Sequence, residues 1–163
     1  STIVSGGIAE RATLRGYVFF TVCMSGFIYP TMACWVWNDD GWLRQRGFHD
    51  LAGSGAVHVT GGVGALCGAW FLGPRAGRFV SGDTHEFAPH NVPFIVLGTL
   101  ILWFGWYGFN AGNVDITTAE GVRTAALVCV NTSCSAVAGG ISASAIRYLQ
   151  VRRWDVPFTC NGV

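Results

Sequence analysis

Four stretches of this chain, residues 16–37, 51–74, 91–114 and 124–146, contain no Asp, Glu, Lys or Arg. They run to 22, 24, 24 and 23 residues, and about 20 apolar residues carry a helix across the hydrocarbon core of a bilayer. A large soluble core explains one such run. Four in series, joined by short charged connectors within 163 residues, predict an all-α, polytopic bundle of membrane helices. Complete spans are expected at roughly 12–38, 51–74, 91–113 and 121–147, within a single partial transmembrane domain covering 1–163. Charged residues supply 12% of the chain, against about 25% in an ordinary soluble domain.

Composition removes several classes of function. The ten basic residues are all Arg, scattered along the chain, and the net charge is +1. The basic stripe of a nucleic-acid binder is missing, so no nucleic acid is expected as partner. Six cysteines fall mostly inside the apolar runs without C-x-x-C spacing. They read as small polarizable packing residues and not as a zinc site or a disulfide framework. No activated nucleophile and no metal triad is visible, so neither an enzyme nor a cofactor is expected. The chain opens on "STIVSGGIAER" and closes within "VPFTCNGV", which reads as an internal piece of a longer protein.

Arginine counting orients the spans. One set of connectors holds Arg11, Arg15, Arg75, Arg78, Arg147, Arg152 and Arg153; the other holds Arg44, Arg46 and Arg123. The positive-inside rule puts the richer set in the cytoplasm. Asp50 and the "FNAG" end of the third span then face outside. Pro30 is expected to kink the first span, a defect that neighbouring helices can satisfy in a membrane. Gly64 with Gly68, and Gly108 with Gly112, form G-x-x-x-G pairs. Small faces of that kind let helices approach closely in lipid, though the motif is weak.

The residues able to do chemistry are few. His58 stands eight residues after Asp50, about 12 Å deeper on an ideal helix and so near the bilayer midplane. An imidazole there is expected to be neutral and hydrogen-bonded. It is either a structural donor to another helix or a pore-lining or relay group. Asp50 has the type and position of a helix N-cap, and a carboxylate at an outer mouth also gathers cations. Trp35, Trp37 and Trp42 cluster at the outer end of the first span. They fit an aromatic belt or a cation-binding face. Trp103, Phe104, Trp106, Tyr107 and Phe109 crowd the end of the third span, where they either pack or line a dry constriction. The whole suits a small cation captured outside and stripped of water inside.

The stretch "DLAGSGAVHVTGGVGALCGAWFLGPRAGRF" resembles the signature of the ammonium transporter family, the Amt branch of Amt/Mep/Rh. So do "GGIAERATLRGYVFFTVCMSGFIYP", "ACWVWNDDGWL", "HNVPFIVLGTLILWFGWYGFNAG", "VNTSCSAVAGG" and "CNGV". The resemblance covers nearly the whole chain, and "DGWL" with "GPRAGRF" leans toward plant-type members. It implies an 11-helix membrane fold, of which this chain runs from the end of the third helix to the start of the eighth. It also implies ammonium or ammonia as substrate, a homotrimer with one pore per subunit, and residence in the bilayer of the plasma membrane.

Site roles follow from the same resemblance. Trp37, Asn113 and Asp50 match the external ammonium site. Phe109 matches one of two gating phenylalanines, Trp106 a pore-lining tryptophan, and His58 the first of two pore histidines. Two departures stand out: Asn113 occupies a place where many members have Ser, and Cys34 one where several have His. The implied mechanism is capture of ammonium, loss of its proton near the gate and passage of ammonia along the histidines. A narrow apolar pore rejects ions that cannot shed their charge, because desolvating them is too costly. Two rival readings use the same bundle, an ammonium sensor and an Rh-type gas channel; Trp37 and "GFNAG" favour the Amt kind over the latter.

Overall fold

The chain enters through helix α1 (Thr2–Ile8), and Arg11 marks its end by donating to the Gly7 carbonyl at 2.8 Å and the Gly73 carbonyl at 2.5 Å. The computed structural model describes residues 1–79 and 87–163. Two units emerge, Ser1–Phe87 and Ala88–Val163, and each is described by itself. The connector expected between the second and third spans has its centre at 80–86, outside the described residues. Among the described residues every regular element is helical.

In the first unit, α2 (Leu14–Cys23), a π-helical segment Met24–Ile28 and α3 (Tyr29–Trp37) run on without a break. Thr13 caps the start, its hydroxyl accepting from the Gly16 amide. The π-helical turns sit just before Pro30, whose ring crowds the carbonyl four residues back and whose nitrogen cannot donate. The Tyr29 amide bonds five residues back to the Met24 carbonyl, which loosens the coil where the proline needs room. The proline is thus accommodated by a wider turn. A one-turn helix, α4 (Trp42–Gln45), follows inside the polar connector.

The second uncharged run starts its helix at Ser54. A π-helical segment, Ser54–Val59, leads into α5 (Thr60–Leu72). Helix α1 lies along the glycine stripe of α5. A Cβ at Gly61 would lie 2.8 Å from Ile3 Cβ, one at Gly64 2.9 Å from Val4 Cγ2, and one at Gly68 2.7 Å from Ile8 Cγ2. Only a missing side chain permits that approach. The small residues expected to pair helices therefore do so at Gly64 and Gly68. Val4, Ile8 and Met24 form the buried core beside them.

The second unit holds α6 (Val92–Ala111), α7 (Ala119–Val151) and α8 (Val156–Gly162). Each begins on a side-chain cap that satisfies an orphan amide: Asn91 to Phe94, Thr118 to Gly121 and Asp155 to Phe158. Helix α7 stops at Arg152, whose φ of 55° is left-handed. Helices α7 and α8 cross through glycine, since a Cβ on Gly139 would overlap the Gly162 carbonyl. Arg147 pairs with Asp155 at 3.0 Å and Ser144 shares a 2.6 Å hydrogen bond with Thr159. By contrast, Gly108 has nothing within 4 Å of a built Cβ among the described residues, so the second G-x-x-x-G pair makes no helix contact there.

Among the described residues four helices are long and apolar enough to cross a membrane: Leu14–Gln45, Ser54–Leu72, Val92–Ala111 and Ala119–Val151. Their large apolar side chains point outward; Phe71 is 91% exposed and Phe104 80%. A water-soluble core would bury such groups.

Candidate functional site

The first four amides of any helix lack partners within it. At the head of the second span Asp50 supplies them all. Its Oδ1 accepts from the Gly53 amide at 2.5 Å and the Ser54 amide at 3.0 Å; its Oδ2 accepts from Gly55 and Ala56, both at 2.9 Å. The N-cap position itself is Gly53, and Asp50 caps from three residues upstream. The chain can double back this sharply because Gly53 takes φ 103°, a conformation that side chains strongly disfavour. Asp50 is 9% exposed. Burial raises its pKa, yet the bonds from Ala56, Gly53, Gly55 and Ser54 outweigh burial and hold the carboxyl below its ordinary value.

Both oxygens of this carboxylate are thus each engaged by two backbone amides. Its main chain has a second task. The Trp37 indole N–H donates to the Asp50 carbonyl at 2.7 Å. Two of the residues singled out in the sequence are therefore joined directly, across 13 positions of chain.

His58 lies within the π-helical segment that Asp50 caps. Its amide donates five residues back to the Gly53 carbonyl at 3.0 Å, and the Thr60 hydroxyl donates to the Gly55 carbonyl at 3.3 Å. The helix carrying His58 starts at Ser54, and the chain bends through residues 51–53. His58 therefore stands four residues into its helix and not eight. Its side chain is exposed in the described structure. Asp50, Trp37 and the helical turns of His58 form one connected assembly within the first unit.

Trp106, Phe109 and Asn113 belong to the second unit. Trp106 and Phe109 lie on the last turns of α6, and Asn113 just beyond it. The Asn113 amide nitrogen donates to the Phe109 carbonyl at 3.1 Å. That bond ties together two more of the residues expected at the site, and it sets the orientation of the amide.

Sequence reasoning missed a polar ladder between α6 and α7. Trp103 donates to the Tyr107 hydroxyl at 3.1 Å, and that hydroxyl shares a 2.8 Å bond with Ser133. One turn away, Asn110 donates to Thr132 at 3.0 Å. Both hydroxyls also donate to their own helix, Thr132 to Val128 and Ser133 to Cys129. Polar atoms within an apolar span need partners, so the presence of Asn110, Thr132 and Ser133 inside uncharged runs was the available signal. A cavity of about 600 Å³ in the first unit is walled by apolar residues such as Phe20, Met24, Val63 and Phe71 and includes none of the site residues. Among the described residues no group of three or more His, Cys, Asp or Glu gathers as a metal site.

Comparison with known proteins carries this further. Ammonium transporter Amt2 of Archaeoglobus fulgidus is 42% identical over 173 residues, covering 99% of this chain and 36% of that protein. Ammonium transporter 1 member 3 of Solanum lycopersicum is 37% identical over 178 residues, with 99% and 39% covered. Ammonium transporter 3 of Dictyostelium discoideum is 36% identical over 165 residues, with 100% and 38% covered. The chain thus spans well under half the length of the curated relatives it matches. No solved structure matches it. The sequence pattern of the Ammonium Transporter Family matches residues 1–163 without remainder. With four helices able to cross a membrane and relatives of that name along its full length, the chain belongs to the ammonium transporter family.

Proposed function

We propose that the full-length protein moves ammonium across a membrane, recruiting the ion at an outer site and passing it as ammonia through an apolar, histidine-containing pore. The observation that carries this reading is the double use of Asp50. Its carboxylate fixes the helix start that bears His58, and its carbonyl fixes the indole of Trp37. A recruiting aromatic and a pore histidine are thereby held by a single buried residue.

The chemistry follows from that arrangement. A tryptophan face attracts a small cation through its quadrupole, by about 0.5–2 kcal/mol depending on desolvation. Trp37 supplies that face, with its indole N–H already committed and its ring orientation fixed. Asp50 does not bind the ion; it keeps the site rigid and adds negative charge behind it. Asn113 contributes an amide oxygen as acceptor, where a Ser hydroxyl serves many members of the family. In keeping with the family, Phe109 and Trp106 serve as gate and pore lining of an apolar path, which bars a cation unless it sheds its proton. Ammonium can do so and potassium cannot, so deprotonation supplies selectivity. His58 then offers a hydrogen bond to the neutral guest. We place the protein in the plasma membrane as a homotrimer with one pore per subunit, in keeping with the family.

The test is ammonium-evoked current in oocytes expressing the full-length protein, wild type beside His58→Ala. A saturating inward current, altered or lost in the variant at equal surface expression, is the expected result. Absence of current, together with absence of any ammonia-driven pH change at the membrane, would sink transport and favour a sensor on the same bundle.

A further inference from the structure

We infer that Arg44 is a positioning residue for Trp37 and that it sets the ammonium affinity of the outer site without setting the maximal rate. The inference rests on the reading of Trp37 as part of that site.

The last carbonyls of a helix, like its first amides, lack partners within it. Helix α3 ends at Trp37, so the residue proposed to meet the cation sits where the helix is least secured. The indole is held by Asp50; the main chain needs a separate hold. Arg44 provides it. Its Nη1 donates to the Trp37 carbonyl at 3.0 Å, while Nη2 pairs with Asp39 Oδ1 at 2.9 Å. A guanidinium at this end also opposes the negative pole of the helix dipole.

The connector is shaped to bring Arg44 there. Gly41 passes so near the end of α3 that a Cβ would lie 2.5 Å from the carbonyl oxygens of both Cys34 and Trp35. No other residue type allows the chain to return at that distance. Trp42 then meets Trp35 edge to face, their centroids 5.6 Å apart, and Arg46 lies over the Trp42 ring at 5.5 Å. Gly41, the Trp35–Trp42 pair and Arg44 thus fold α4 back over the end of α3, and the contact that reaches Trp37 is made by Arg44.

The Asp39 pair is not the important part. Asp39 is 91% exposed and Arg44 half exposed, and such pairs contribute little. What matters is the donor on the Trp37 carbonyl. Charge and hydrogen bonding make opposite predictions. If Arg44 acted by charge, removing a cation near the mouth would strengthen ammonium binding. If it acts by holding Trp37, removing it weakens binding.

Arg44→Met and Arg44→Gln separate the two, because both are uncharged and similar in length while only Gln can donate. In the full-length protein, ammonium-evoked current is measured across a concentration series for wild type, both variants and Trp37→Leu, each normalised to surface expression. We expect Arg44→Met to raise half-saturation about three- to tenfold over Arg44→Gln, the range for one lost hydrogen bond, with maximal currents equal within about twofold. Arg44→Lys, which also keeps a donor, is expected to follow Gln and replaces it if Gln does not reach the membrane. Equal half-saturation in Met and Gln, or a Met value below wild type, overturns the inference while Trp37→Leu still weakens binding. Unchanged half-saturation in Trp37→Leu instead overturns the recruitment reading, and the inference with it.

Discussion

The Asp50 carboxylate reaches six residues ahead to accept the Ala56 amide at 2.9 Å, closing the last of four bonds that begin the second span. A neutral amide cannot reproduce this set. Asn offers one acceptor oxygen in place of two, and its NH₂ would face backbone N–H groups. Asp50→Asn is expected to lower stability by about 3–6 kcal/mol, since each charge-assisted bond contributes roughly 1.5–3 kcal/mol and two amides lose theirs. Asp50→Ala is expected to cost more. Thermal unfolding of the detergent-solubilised protein reads the order wild type, Asn, Ala. Retention of wild-type stability by Asp50→Asn would refute the anchor role.

The same four bonds fix a pH dependence. Asp50 has a folded pKa below its ordinary 3.8. A depressed carboxyl stabilises the fold fully above its unfolded pKa, and that contribution is lost as pH falls through the folded value. Asp155, held down chiefly by the Phe158 amide and further by Arg147, has the same sign. Stability from these groups is therefore level across the neutral range and falls only below about pH 4. Circular dichroism melts in an acid series are expected to show that drop, and Asp50→Asn is expected to make it shallower. A variant with an unchanged acid slope would contradict the assignment.

Much of this was legible in the sequence, and the exceptions share a cause. Charge-free runs reveal spans because excluding charge from hydrocarbon is a property of composition. They cannot reveal where backbone turns. Leu51, Ala52 and Gly53 are as apolar as the helix that follows, so the span was expected to begin directly after Asp50. The left-handed Gly53 and the start at Ser54 are geometric facts without a compositional mark. The stripe at Gly64 and Gly68 was visible, but its partner α1 was not. Gly108 and Gly112 carry the same spacing, and there, among the described residues, a Cβ on Gly112 meets only the Gly108 carbonyl of its own helix. Arg44 was counted for orientation alone, because its hold on Trp37 depends on the return of the chain at Gly41.

Packing of α1 on α5 gives a direct test of the stripe. A Cβ at Gly68 would lie 2.7 Å from Ile8 Cγ2, whereas one at Gly62 meets nothing within 4 Å among the described residues. Gly68→Val is expected to destabilise the protein by about 1–3 kcal/mol, the usual effect of overpacking. Gly62→Ala, in mid-helix and free of any clash, is expected to be neutral or slightly stabilising through helix propensity. Unfolding midpoints in detergent separate the two. Equal effects at both positions would mean that α1 does not lie against this face of α5.

Asn113 carries the last prediction, because here the chain departs from the family pattern. Its amide nitrogen is bonded to the Phe109 carbonyl at 3.1 Å, which leaves the amide oxygen as the acceptor of the side chain. In the proposed outer site that oxygen accepts a hydrogen bond from ammonium. Asn113→Leu removes both bonds, so half-saturation for ammonium is expected to rise about tenfold or more, the effect of one lost bond to a charged partner at roughly 1.5–3 kcal/mol. Asn113→Ser restores an acceptor with less bulk. Its hydroxyl can still donate to the Phe109 carbonyl, so half-saturation is expected to stay within about threefold of wild type. Concentration series of ammonium-evoked current, normalised to surface expression, measure both. If Leu and Ser shift half-saturation equally, side-chain volume and not the acceptor governs this position, and Asn113 leaves the recruitment site.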